Sequence, residues 1–191
     1  MSNATRYTIK IQNARLSFPE LFTAKKNDED PTKKPKFAAT FILDKTANAA
    51  EIAEIKKGIQ QVLNGENKGQ ALGPSRVCLR DGAEKPQVDG YGAGVMFVAA
   101  RTSRRPQVVG RRREPLSETD GKIYPGCYVN GIIELWWQND PKYGKRVNAS
   151  LSVVQFVKDG TAFGEGSVNV EEALDDLGDE NGDDSPASEY V

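Results

Sequence analysis

The 191-residue sequence contains no histidine, two cysteines and two tryptophans. Without histidine, Ser-His-Asp and Cys-His catalytic arrangements are excluded, and the commonest general base is missing. Cys78 and Cys127 form no C-x-x-C pair and have no histidine to complete a zinc set. Both are expected as small buried residues, not as metal ligands or a disulfide framework. No apolar run approaches the roughly 18 residues that span a bilayer, and Met1 to Arg6 lacks the apolar stretch of a secretory signal. The expectation is a cytoplasmic protein without membrane contact. No G-x-x-x-x-G-K-[ST] loop is present, and Gly90-Tyr-Gly-Ala-Gly94 lacks the G-x-G-x-x-G spacing, so it reads as a turn or bulge before a strand. No cofactor is implied.

What the chain does have is charge, unevenly placed. Its 26 Lys+Arg and 27 Asp+Glu give a net charge of −1. The last basic residue is Lys158, and Glu165 to Val191 holds ten acidic and no basic side chains. Residues 1–164 therefore carry +9 and the last 27 residues −10. The length fits one domain with embellishments. We expect a folded domain over 1–164 and a flexible acidic tail over 165–191, disordered at least from Gly178, with a short turn at Val168 to Leu174.

Within the body, strands dominate. Tyr7, Ile9 and Ile11 alternate with polar neighbours toward Phe18, with a bulge expected at Asn13. Pro19 to Pro35 reads as a loop, followed by a strand from Lys36 with Phe37, Ala39, Phe41 and Leu43 on one face. Asn48 and Glu51 fit a capping box for a helix carrying Ile52, Ile55, Ile59, Val62 and Leu63 on one stripe and stopping at Asn64-Gly65. Arg76 to Arg80, Gly94 to Thr102 and Gln107 to Val109 read as short strands. Tyr128 to Gln138 and Lys145 to Val157 form the clearest hairpin, joined across Asn139 to Gly144. Val129, Ile133, Leu135 and Trp137, with Val147, Ala149, Leu151 and Val153, are its expected core face. This succession is mainly β, with one helix and long basic loops. It fits a Greek-key barrel, with a β-sandwich as the other arrangement.

Two clusters point to a polyanion. Arg101, Arg104, Arg105, Arg111, Arg112 and Arg113 fall within thirteen residues, and arginine's planar fork matches phosphate oxygens. Lys33, Lys34 and Lys36, with Lys25 and Lys26, form a second cluster, interrupted by Asp28 to Asp30; Lys145 and Arg146 support them. Tyr91, Tyr124, Tyr143 and Trp136 lie in loops or on the polar hairpin face, where rings could stack on exposed bases. Phe18, Phe22, Phe37, Phe41, Phe97 and Phe156 are assigned to packing. The 17 acidic residues of the body are scattered, so a Mg-dependent nucleic-acid-processing enzyme would need the fold to gather them.

The segments Asn13-Ala-Arg-Leu-Ser-Phe-Pro-Glu-Leu-Phe22, Lys36-Phe-Ala-Ala-Thr-Phe-Ile-Leu-Asp44 and Gly126-Cys-Tyr-Val-Asn-Gly131, with Arg146 to Leu151 and Gln155 to Gly160, resemble the phage single-stranded-DNA-binding proteins once catalogued as a domain of unknown function. The resemblance covers nearly all of residues 6–164. It implies an OB-fold, binding of single-stranded DNA in phage replication, recombination or repair, and no enzymatic activity. It also implies an acidic tail that recruits replication or recombination proteins and occupies the groove when DNA is absent. Asp183, Asp184, Glu189, Tyr190 and Val191 are the expected partner-binding residues, although many such tails end on Phe and this one ends on Tyr190-Val191. A strand-annealing recombination mediator and an acidic-tailed protein-interaction module are the other readings. The oligomeric state is not legible.

Overall fold

The computed structural model describes residues 6–28 and 30–164. The tail over 165–191, with the turn at Val168 to Leu174 and the partner-binding residues Asp183, Asp184, Glu189, Tyr190 and Val191, lies outside the described residues.

Seven strands and one α-helix follow in the order β1 (Tyr7–Lys25), β2 (Lys36–Asp44), α1 (Ala49–Glu66), β3 (Leu79–Asp81), β4 (Val95–Thr102), β5 (Gln107–Val109), β6 (Tyr128–Asp140) and β7 (Gly144–Lys158). The first half of β1 pairs with β6 and the second half with β2; β2 pairs with β4 and β6 with β7, all antiparallel. A parallel contact between Ala100 of β4 and Ala149 of β7 closes the ring. The result is a five-stranded mixed barrel, β1-β2-β4-β7-β6, of OB-fold topology. β3 extends it beside β4, and β5 runs parallel to β7.

Alternation explains the core. Ile9, Ile11, Leu16, Phe41, Leu43, Val98, Val129, Ile133, Leu135 and Val147 point inward and are almost fully buried. Gly131 stands at an inward position of β6 because the Phe41 ring fills the space its side chain would take; a Cβ there would lie 2.4 Å from that ring. The helix lays Ile52, Ile55, Ile59, Val62 and Leu63 against β1 and β6.

Several local readings change. β1 does not stop near Phe18 but runs to Lys25, so part of the expected Pro19–Pro35 loop is strand. The bulge at Asn13 is present: its φ is +50°, the register shifts between Ile11 and Ala14, and its N–H donates to Asn130 Oδ1 at 2.9 Å. Asn48 makes no side-chain cap to the helix; it is buried, accepts from Asp44 N–H (3.0 Å) and donates to the Gln12 carbonyl (2.9 Å), tying the helix start to the barrel. The helix passes through Asn64-Gly65 and ends where Lys68 and Gly69 adopt positive φ, with Gly69 N–H reaching the Leu63 carbonyl at 2.9 Å. Pro74–Arg76 is a 3-10 turn, so the third strand is Leu79–Asp81 and not Arg76–Arg80. In β7 a register shift between the Ile133 and Ile132 pairs inverts the phase: Val154 and Phe156 are buried, whereas Val153, expected in the core, is only partly so. Cys78 and Cys127 are buried free thiols, and burial pushes Cys78 up to about 12.

Candidate nucleic-acid interface

The outward face of β1, β2 and β4 is not a plain polar surface. Ser17, Thr40 and Ile42 point out of the barrel yet are at least nine-tenths buried, and the connection between β3 and β4 brings Tyr91 against Ser17 and Thr40. Tyr91 packs edge-on to Phe97, with ring centroids 5.1 Å apart, and stands 6.4 Å from the Phe18 ring. Lys85 Nζ sits over all three rings, at 4.8 Å from Phe97, 5.2 Å from Tyr91 and 5.7 Å from Phe18. The Arg80 guanidinium lies 5.7 Å from the Phe97 centroid. Partial burial, then the charges of Arg80 and Arg101, hold the Lys85 ammonium below its ordinary range. Burial likewise raises the Tyr91 phenol, whose hydroxyl lies beside Ser17 and Thr40 without a hydrogen bond of normal geometry.

Phe18 is 55% exposed, the one exposed large hydrophobic side chain among the described residues. Its φ of +45° and a register shift between Ser17 and Glu20 turn outward a ring that strict alternation would point inward. Its assignment to packing is therefore corrected. Phe97 is buried as expected, but under Tyr91 on the outer face and not within the barrel. Beside Phe18 opens a cavity of about 600 Å³ lined by Ser17, Gln87, Val88, Asp89, Pro125 and Phe163.

A second grouping forms where the loop between β1 and β2 meets the β6–β7 turn. Lys33 Nζ lies 3.8 Å from the Tyr143 ring centroid and Lys142 Nζ 5.2 Å. Hydrogen bonding first from Lys33 and then from Lys142 lowers the Tyr143 phenol below its ordinary value. Asp140 Oδ1 shapes the turn by accepting from the N–H groups of Lys142 (2.8 Å) and Tyr143 (2.9 Å). Arg76 donates to the Tyr143 carbonyl at 2.8 Å, Lys145 to Asn67 Oδ1 at 3.0 Å, and Arg146 points to the Ser75 carbonyl at 3.5 Å. Lys34 and Lys36 are exposed and pair with no acid among the described residues.

The arginine cluster divides in two. Arg101 projects from the outer face of β4 opposite Ala38, and Arg104 and Arg105 follow it in the bend toward β5. Arg111, Arg112 and Arg113 occupy the turn after β5, on another side of the barrel. There a row of hydrogen bonds runs from the Asn13 backbone N–H through the Asn130 and Gln155 side chains, and Gln155 donates to the Gly110 and Arg111 carbonyls at 3.3 and 3.4 Å. All six are exposed, and none forms a salt bridge among the described residues.

Two expected stacking residues are engaged within the fold. The Tyr124 hydroxyl donates to Asp159 Oδ1 (2.9 Å) and accepts from Gly160 N–H (3.0 Å), pinning the chain after β7. Trp136 stands on the outer face of β6 opposite Asn148, only partly exposed, with its Nε1 shut off from solvent and unpartnered; Trp137 packs toward the core. Lys85, Arg80, Lys142 and Arg76 have no mark in the local sequence, because loops distant along the chain bring them to these sites. No group of three or more Cys, Asp or Glu side chains that could hold a metal ion occurs among the described residues. No helix among them is long and apolar enough to cross a membrane.

Comparison with known proteins agrees with this geometry. Protein p50 of Acyrthosiphon pisum secondary endosymbiont phage 1 is 40% identical over 184 residues, covering 88% of this chain and 93% of that protein. The single-stranded DNA-binding protein of bacteriophage Enc34, solved in complex with ssDNA, superposes with a TM-score of 0.73 at 31% identity, over 82% of this chain and 89% of that one. The single-stranded DNA-binding protein gp2.5 of bacteriophage T7 shares the fold, with a TM-score of 0.56 at 12% identity over 93% of this chain and 100% of that one. The profile described as Enterobacter phage Enc34, ssDNA-binding protein, matches residues 7–185, and the chain belongs to this family of non-enzymatic ssDNA-binding proteins.

Proposed function

We propose that the body of this protein binds single-stranded DNA with little sequence preference, along the outer face of β1, β2 and β4 and between the 26–35 loop and the β6–β7 turn. The observation that carries this reading is the cluster of Phe18, Tyr91 and Phe97 under Lys85, on the barrel face that OB-folds use for oligonucleotides. Rings with a cation beside them suit stacked bases and the phosphates between them. Arg101, Arg104, Arg105, Lys33, Lys34, Lys36, Lys145 and Arg146 extend the positive surface, and Arg111 to Arg113 offer phosphate contacts around the barrel.

Residues 165–191 act in this proposal as a separate acidic tail that recruits replication or recombination proteins in the host cytoplasm and competes with DNA. Gly164, the last described residue, lines the cavity beside Phe18. Ten acids tethered there reach an effective concentration in the ~mM range. The anisotropy of labelled oligonucleotides, titrated with the full chain and with one truncated after Gly164, tests both parts. The expected result is tight binding that strengthens on truncation at low salt. Absence of binding in both chains refutes the DNA reading, and equal affinities refute competition by the tail.

A further inference from the structure

The cavity beside Phe18 has a construction of its own. Phe18 forms one wall with an exposed ring. Phe163 forms another and is held in place: its N–H donates to the Pro125 carbonyl at 2.9 Å, and the Arg15 guanidinium lies 4.1 Å from its ring centroid. Gly90, at φ +83°, packs so closely that a Cβ there would lie 2.3 Å from the Phe163 ring. Val88 and Pro125 complete an apolar lining. About 600 Å³ is ample for a nucleobase and within the range of small-ligand sites.

The polar member that matters is Asp89. Its Oδ2 accepts from Gly164 N–H at 3.2 Å, while Oδ1 has no hydrogen bond among the described residues. The Asp89 carboxylate, the one charged group in the cavity lining, repels phosphate, so its partner on DNA must be an N–H donor. Cytosine, adenine and guanine carry amino groups. Thymine has none, and its single ring N–H is flanked by two carbonyl oxygens that a carboxylate repels.

We propose that this cavity is a base subsite. One nucleobase of the bound strand stacks on Phe18, donates its amino group to Asp89, and leaves its phosphate to Lys85. The subsite favours amino-bearing bases over thymine at one position of an otherwise indifferent footprint. It rests on the ssDNA-binding reading above and refines it.

The test uses the full chain with fluorescein-labelled oligo(dC) and oligo(dT) of equal length, followed by anisotropy. Phe18→Ala is expected to weaken binding to both by roughly 5- to 150-fold, the contribution of one stacked base. Asp89→Asn keeps an acceptor for Gly164 N–H but removes the charge. It is expected to strengthen oligo(dT) binding and to shift the dC-to-dT preference by about threefold to tenfold, as for one exposed charge-assisted hydrogen bond. Both substitutions are at exposed side chains, and a thermal melt of each variant checks that it is folded. If the wild type binds DNA but the dC-to-dT ratio is the same in Asp89→Asn, or Phe18→Ala binds as tightly as wild type, the base subsite is overturned and a protein ligand for the cavity is favoured. If neither the wild type nor the chain truncated after Gly164 binds either oligonucleotide at low salt, the ssDNA reading itself fails.

Discussion

Tyr91→Phe is expected to stabilise the protein. The Tyr91 ring is half-buried between Phe97 and the Ser17–Thr40 pair, and its hydroxyl is closed off from solvent beside Ser17 and Thr40 without a hydrogen bond of normal geometry. A desolvated, unpaired hydroxyl costs about 1–3 kcal/mol, and removing it while keeping the ring recovers part of that. With the ring only partly buried we expect about 1 kcal/mol, which for a chain of this size raises Tm by roughly 2–4 °C. The stacking surface is unchanged, so ssDNA affinity should stay within about twofold. Tyr91→Ala, by contrast, removes the edge contact to Phe97 and uncovers Ser17 and Thr40, lowering both Tm and affinity. Differential scanning calorimetry with an anisotropy titration reads both quantities. A lower Tm for Tyr91→Phe would mean that the hydroxyl is bonded to Ser17 or Thr40, and would refute the reasoning.

Three further outcomes follow from the geometry. Tyr143 ionises below its ordinary value beside Lys33 and Lys142, and its phenolate repels phosphate, so ssDNA affinity should begin to fall below pH 10 as pH rises. Loss of the lowered Lys85 proton acts in the same direction, so Tyr143→Phe should remove only part of the fall; a titration at constant ionic strength with identical profiles for the two proteins contradicts this. Gly131→Ala forces a Cβ against Phe41 and should cost about 1–3 kcal/mol in a thermal melt, whereas an unchanged Tm means the ring does not fill the barrel as described. Arg15→Met removes the hydrogen bonds to the Gly126 (3.3 Å) and Thr161 (2.5 Å) carbonyls and the stack on Phe163. Hydrogen exchange at the Phe163 amide should then quicken roughly 5- to 150-fold, and unaltered exchange means that Arg15 does not hold Phe163 in place.

The parts of the fold that obey a simple period are legible in the residues alone. The helix stripe from Ile52 to Leu63 and the hairpin from Tyr128 to Val157 needed nothing but alternation and turn chemistry. The exceptions are places where a positive φ or a register shift overrides the period. Phe18, at positive φ, leaves the core for the surface, and a register shift in β7 exchanges Val153 for Val154. The proposed interface is legible as charge, since the arginine and lysine clusters are contiguous in sequence. Its centre was not, because Lys85, Phe97 and Phe18 come from three separate segments and look unremarkable in each. The arginine run also concealed its division: Arg101 lies near Lys85 on the outer face of β4, whereas Arg111 to Arg113 follow β5 in the turn beside Gln155.

The salt dependence of ssDNA binding tests the central claim most directly. The account predicts a linear fall of log Kobs with log salt, with a slope near −0.7 per phosphate neutralised, and a slope shallower by about 0.7 in Arg101→Ala and in Lys33→Ala. A slope near zero, or one that neither substitution alters, would contradict an electrostatic interface at these residues.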